Sequence, residues 1–400
     1  MKDRARTMLT KRPDLAVLIF ACLLLSLASI SNFIFSAEAD ESSAVVPDVL
    51  HANDVSQEEE NERPLVYPWA RQFIRPLSIK PIRNETSVYW HIPKSGGTST
   101  KSLFECLGLT LASRVGGVAR FGHADDSELQ VFKPWSTRGN DSISKQNAKY
   151  INIDVSTSDG IMKGREMGLV PSGLVDVVFT TYPSQIVENL FDLNHKGRLL
   201  AMFRHPVQRL VSKFFYLRVA KWENNYEPSW NDISIETWAR KIDRDRNFLV
   251  RTLAGKTVKE VNEADLQVAK RTIAQRFIVG LSEEYDESLR RFGIMLNFKA
   301  KTTAQDRKRC YDKYLGAHGE KMNSNSHPKI TETKQAFKII AKHNFFDMQL
   351  YDVSVLDYAC LSCALLRCYP SSPLTHIIET IQYILKLFDE QKQVIDSYQQ

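Results

Sequence analysis

Apolar residues gather in four short runs separated by stretches of helical periodicity. Residues 88–92, 175–181, 199–203 and 276–281 are rich in β-branched and aromatic side chains, and turn-forming positions bound them. Runs of that length and composition read as strands buried on both faces. The segment 98–107 places Leu103, Phe104 and Leu107 on one helical face. A helix opens at Pro206, where the first turn needs no N–H donor, and extends to about residue 222. Further helical patterns cover 234–243, 246–254, 263–275, 283–296 and 331–343. Strands alternating with helices predict an α/β fold: a parallel sheet flanked by helices on both faces. Residues 110–170 hold no sustained period and read as loops and short strands. No internal repeat is visible.

The N-terminal region follows a different pattern. Residues 15–36 contain no charged side chain and include the run LAVLIFACLLLSLASI. About 20 apolar residues cross a bilayer as a helix. Lys2, Arg4, Arg6, Lys11 and Arg12 precede the span and acids follow it, which predicts a cytoplasmic tail over 1–14 and a luminal remainder. The alternative is a cleaved signal peptide ending near Ala37-Glu-Ala39, although signal h-regions are shorter. Residues 37–85 read as a stem, acidic at first and interrupted by Pro47, Pro64, Pro68, Pro76 and Pro81. Two glycosylation sequons, Asn84-Glu-Thr and Asn140-Asp-Ser, suit a luminal location. The folded domain is expected over 86–400.

Charge sharpens the division. The chain carries +6 overall, but residues 37–62 hold nine acids and no Lys or Arg, and residues 1–36 hold a net +3. The rest of the chain therefore carries +12, a balance suited to a polyanionic partner as well as to simple solubility. Cys22 lies in the apolar span, leaving Cys106, Cys310, Cys360, Cys363 and Cys368 in the luminal part. Five cysteines cannot all pair within the chain. The lone CxxC at 360–363 has no second ligand pair and is weak support for zinc or redox chemistry.

Residues 353–382 break a helical pattern. Joining Asp352 to Tyr383 yields HNFFDMQLYDYILKLFDEQKQVI, a continuous amphipathic helix. The segment is 30 residues long and starts with Val and ends with Gln, whose codons match common intron ends. It reads as a retained intron translated in frame, against the alternative of a genuine loop and helix; a tryptic peptide from it in the purified protein would exclude the first.

Two strand–turn–helix segments carry the candidate chemistry. In the first, Lys94-Ser-Gly-Gly-Thr-Ser99 follows the run at 88–92. Gly96 and Gly97 let the backbone approach a phosphate, and the helix N-terminus adds its dipole. Lys94 supplies a mobile cation, and Ser95, Thr98 and Ser99 supply hydroxyls. In the second, Arg204 stands at the end of a strand, where α/β sites form, and its fork can hold a phosphate bidentately. Ser212 lies two helical turns later. Taken singly, each has structural readings: an ordinary turn, or an Arg paired with a surface acid. A nucleotide phosphorylated at both ends of its ribose would need both.

HIPKSGGTS resembles the 5′-phosphosulfate loop of Golgi-type carbohydrate sulfotransferases, and FRHPVQRLVS is similar to their 3′-phosphate motif. Weaker likenesses run through NFLVRTLAG (247–255), FIVGLSEEY (277–285) and 344–351. The membrane anchor, acidic stem and basic domain match too. The resemblance implies a P-loop-like, PAPS-dependent sulfotransferase fold with 3′-phosphoadenosine 5′-phosphosulfate (PAPS) as co-substrate and no metal. It implies that Lys94, Ser95, Gly96, Gly97, Thr98 and Ser99 hold the 5′ side, and that Arg204 and Ser212 hold the 3′-phosphate. It further implies a carbohydrate acceptor and residence as a single-pass type II protein of the Golgi membrane, with nothing pointing to nucleic acid.

Sulfuryl transfer needs a base for the acceptor hydroxyl, and histidine suits that task. The chain has nine. His51 lies in the stem, and His91 and His205 lie inside the motifs. His123, in FGHADDSEL, resembles the histidine of the LHAD…EL stretch in heparan sulfate 6-O-sulfotransferases, the presumed base there. His195, His327 and Glu128 are reserves. Arg251 is a further candidate contact to donor or acceptor, or a helix-surface ion pair. Two other functions stand beside the enzyme: a P-loop-type nucleotide kinase, against which the absence of GxxxxGK[ST] argues, and a glycan-binding protein on the same fold without turnover.

Overall fold

The computed structural model describes residues 66–355, except 78, 80–84, 115–121, 124, 135–146, 224, 257–259, 317–318 and 320–326. The segments expected to form the cytoplasmic tail (1–14), the apolar span (15–36) and the acidic part of the stem lie outside the described residues, as do both sequon asparagines, Asn84 and Asn140, and residues 356–400. Among the described residues, no helix is long and apolar enough to cross a membrane.

Seven strands form one sheet: β1 (Ser87–Trp90), β2 (Thr110–Ala112), β3 (Val131–Phe132), β4 (Lys149–Ile151), β5 (Val177–Thr180), β6 (Arg198–Phe203) and β7 (Phe277–Leu281). Their order is β3-β4-β2-β5-β1-β6-β7. All neighbours are parallel except β3 and β4. The fold is α/β with a mostly parallel, helix-flanked sheet, as the alternation of patterns predicts. The arrangement is compatible with a P-loop-like fold.

The central strands bury both faces, and alternate residues feed two cores. On one side Val88 and Trp90 of β1, with Leu199, Ala201 and Phe203 of β6, pack on four helices: α1 (Pro68–Phe73), α4 (Pro183–Leu190), α7 (Phe248–Leu253) and α8 (Glu263–Arg276). On the other, Tyr89 of β1 and Leu200 and Met202 of β6 meet α2 (Gly97–Cys106), α9 (Tyr285–Met295), α10 (Phe298–Lys301) and α11 (Ala304–Tyr314). A third cluster joins α5 (Pro206–Leu217), α6 (Ile235–Lys241) and α12 (Gln335–His343) through Leu210, Phe214, Trp238 and Phe337. Helix α3 (Ser158–Glu166) contributes Ile161 to the first core.

Four findings correct or extend the sequence reading. The stem expected to reach residue 85 ends earlier: Val66, Trp69, Ala70 and Ile74 lie in the core, and Ile74 bridges Gly197 beside the sheet. The prolines there open and end a short helix instead of spacing an extended chain. Glu85 is also internal, pairing with the buried Arg198 at 2.9 Å and with Arg75 at 3.0 Å. Residues 110–170 supply three strands and α3, too short to show a period. Helix α5 stops at Leu217, five residues early, because the chain folds back and Glu227 N–H donates to the Leu217 carbonyl. A disulfide links Cys106, at the end of α2, to Cys310 in α11, 204 residues later.

Past α12, residues 345–355 are helical. The first residues of the suspected insertion, 353–355, continue that helix with Ser354 and Val355 buried. Its remainder lies outside the described residues.

Candidate active site

Strands β1 and β6 are parallel neighbours, with Ser87 opposite Arg198 and Trp90 opposite Ala201. Their C-terminal ends therefore deliver the two turns to the same edge of the sheet. The chain leaves β1 toward β2 on one side and, after β5, crosses to β6 on the other. Such a reversal opens the crevice where ligands of open α/β sheets bind.

The first turn has an unusual backbone. Lys94 takes φ 68° and Gly96 φ 84°, both in the left-handed region. Gly97 opens α2 against the His91 ring; a Cβ there would stand 2.1 Å from the His91 Cδ2. Ser95 is buried and its Oγ has no hydrogen-bond partner among the described residues. Thr100 and Tyr285 close the far wall, their hydroxyls 3.3 Å apart. Thr98 and Ser99 lie in the first turn of α2, with Ser99 buried.

The second turn is bonded to the first. Arg204 Nη1 donates to the carbonyl of Lys94 at 3.0 Å. One of the five guanidinium donors is thereby used on the loop itself. Ser212 is buried on α5, the helix that follows Arg204. The Lys94 ammonium stands 3.6 Å from the centre of the Tyr216 ring, also on α5. Lys94 and Arg204 are thus brought together, with Tyr216 of α5 beside them.

Burial, then the neighbouring Arg204 charge, lowers the Lys94 pKa to about 8, against a pull upward from Glu223. The Arg204 pKa is also lowered, first by burial. Burial holds His91 and His205 down to about 4, with Lys101 and Arg204 adding to the effect respectively. Both are packed neutral rings, and neither is poised as a base at neutral pH. His205 packs on Phe337 and Tyr351, and its Nδ1 is buried without a partner among the described residues.

A comparison with protein-family models and with curated proteins finds no match to this chain.

His123 sits at the same edge of the sheet but farther along it. Its Nδ1 pairs with Asp126 Oδ2 at 2.8 Å, and its ring packs on Phe132 of β3 at 4.4 Å. Asn152 donates to the same Asp126 oxygen at 2.5 Å. These two hydrogen bonds, Asn152 first, lower the Asp126 pKa. The ring is oriented, as a base requires. However, β3 and β4 lie three to four strand positions from β1, about 14–19 Å at roughly 4.8 Å per strand. The described contacts do not bring His123 to Lys94.

The reserves divide clearly. His195 precedes β6, at the opposite edge of the sheet, and is exposed with Asp192 as its partner. Glu128 is exposed. His51 lies outside the described residues. His327 stacks on Phe215 of α5 at 5.8 Å; burial and then the Arg204 and Lys94 cations lower its pKa. Arg251 bonds the main chain at Arg244. Among the described residues no group of His, Cys, Asp and Glu is arranged for a metal.

Sequence reasoning did not find Tyr216, Glu223 or Tyr285. Tyr216 lies four residues after Ser212 on the same helix, so its face was predictable from spacing. Tyr285 comes from α9, and only the folded sheet reveals it.

Proposed function

We propose that this chain is a PAPS-dependent carbohydrate O-sulfotransferase on the sulfotransferase variant of the P-loop-like fold. The observation that carries this reading is the hydrogen bond from Arg204 to the Lys94 carbonyl, which makes one site of two anion-binding turns. The orphaned Ser95 Oγ and the close packing of Gly97 on His91 suit a bound phosphosulfate. The nucleotide, when bound, supplies an activated sulfuryl group.

Lys94, Ser95 and the backbone from Gly96 to Ser99 hold the 5′ side, and Arg204 with Ser212 holds the 3′-phosphate. The acceptor oxygen bonds to sulfur while the bridging S–O bond breaks, and Lys94 stabilises the charge that grows on the departing phosphate oxygen. A base takes the acceptor proton; His123, oriented by Asp126, is the first candidate. The Cys106–Cys310 disulfide supports an oxidising compartment, in keeping with a Golgi lumen and the anchor expected at 15–36.

Calorimetry with 3′-phosphoadenosine 5′-phosphate against ATP tests the donor site. Preference for ATP would favour a kinase and overturn this reading. Transfer of radiolabelled sulfate to a panel of polysaccharides tests turnover. The distance of His123 from β1 favours, as the second reading, a glycan-binding protein without turnover; nucleotide binding with no transfer to any acceptor would establish it.

A further inference from the structure

We infer that Trp222 is a stacking platform for a pyranose ring of the acceptor; this rests on the sulfotransferase reading above. Trp222 is 68% exposed, the most exposed of the large apolar side chains among the described residues. A lone exposed apolar side chain is ordinary at a protein surface and by itself calls for no ligand. This indole is nevertheless held in place: its Nε1 donates to the Tyr216 hydroxyl at 3.1 Å. Tyr216 in turn donates to Glu223 Oε1 at 2.7 Å. The Tyr216 ring is anchored beneath by Leu217, Ala220 and Trp230.

The same Tyr216 ring carries the Lys94 ammonium on its face. Tyr216 and Trp222 meet edge to face with centroids 6.3 Å apart. Together with the 3.6 Å ammonium contact, this caps the distance from Lys94 Nζ to the indole centroid at about 10 Å. A sugar ring lying on the indole therefore places its own hydroxyls, or those of the adjoining ring, near the lysine. A pyranose presents an apolar face of C–H groups with hydroxyls around its rim. An indole gives that face a flat apolar surface at little conformational cost, and the hydrogen bond to Tyr216 fixes its orientation in advance. Glu223, beside the indole, is placed to accept from a rim hydroxyl. An indole also stacks on an adenine, so a fall in the affinity for 3′-phosphoadenosine 5′-phosphate in Trp222→Ala would assign the ring to the nucleotide and overturn the inference.

The test uses the full chain, with heparosan, chondroitin and N-acetyllactosamine oligosaccharides as probes. Saturation-transfer NMR reports which sugar protons contact the protein, and sulfate transfer gives the acceptor KM. In Trp222→Ala the NMR contacts should vanish and the acceptor KM should rise about tenfold. The affinity for 3′-phosphoadenosine 5′-phosphate should stay unchanged. Trp222→Phe should restore most of the sugar binding, which a merely structural role would not require. A KM in Trp222→Ala within twofold of wild type would overturn the inference. So would wild-type protein that binds the nucleotide but none of the probes. If wild-type protein fails to bind the nucleotide, the donor reading falls, and the platform falls with it.

Discussion

Lys94 gives the site a defined dependence on pH. Its ammonium is partly buried and shares the site with the Arg204 guanidinium, and together these lower its pKa to about 8. The charged form is the one that attracts phosphate. Anion binding should therefore be complete below pH 8 and decline as the pH rises through it. With a pKa near 8, about nine-tenths of the lysine is charged at pH 7 and about one-tenth at pH 9. If the bound anion keeps the lysine protonated, affinity falls about tenfold across that interval, or about 1.4 kcal/mol. Phosphate itself titrates near 6 and stays fully charged above pH 7.5. The assay is calorimetric titration with 3′-phosphoadenosine 5′-phosphate from pH 7.5 to 9.5. Lys94→Arg holds its charge throughout and should flatten the curve. A flat curve for the wild-type protein, or an equal slope in Lys94→Arg, would refute the argument that a depressed lysine lies at the phosphate.

Further outcomes follow from the packing and from the oriented His123 ring. Glu85→Ala strands the buried Arg198 without a counter-charge, and urea unfolding should show a loss of about 3–5 kcal/mol. Gly97→Ala drives a methyl into His91, so calorimetry should show nucleotide binding lost or weakened at least about tenfold, while circular dichroism stays near wild type. Cys310→Ser removes a link closing a long loop and should cost about 2–5 kcal/mol by thermal unfolding, matched by reductant on the wild-type protein. His123→Ala should abolish sulfate transfer and leave nucleotide binding intact, and Asp126→Asn should lower turnover through the orientation of the ring; transfer within about threefold of wild type in His123→Ala would remove it from the base role.

The parts of the fold that were legible are those where burial is symmetrical. Strands β1, β5, β6 and β7 are covered on both faces, so they appear as unbroken apolar runs. Strand β3 is two residues long and partly exposed, and no periodicity can declare it. The two strand–turn–helix segments proposed to bind anions stood out because glycine, lysine and arginine cluster there. Their contact did not, since it depends on β1 and β6 being neighbours although more than a hundred residues separate them. The Trp222 platform was hidden by helical patterning that carries past Leu217, where the backbone instead turns back toward Glu227. The cysteine count excluded full pairing within the chain but gave no partner for Cys106, because 204 residues of sequence carry no spacing signal.

That separation also has a consequence in biosynthesis. At about 5–20 residues per second, Cys310 leaves the ribosome roughly 10–40 s after Cys106. Through that interval the helix opening at Gly97 has emerged, but the clasp at its far end has no second half. The earlier thiol stays open to wrong partners until after all seven described strands have been made. A chain that stops short of residue 310 never supplies the partner of Cys106, so premature termination would leave the helix that opens at Gly97 held by its packing alone.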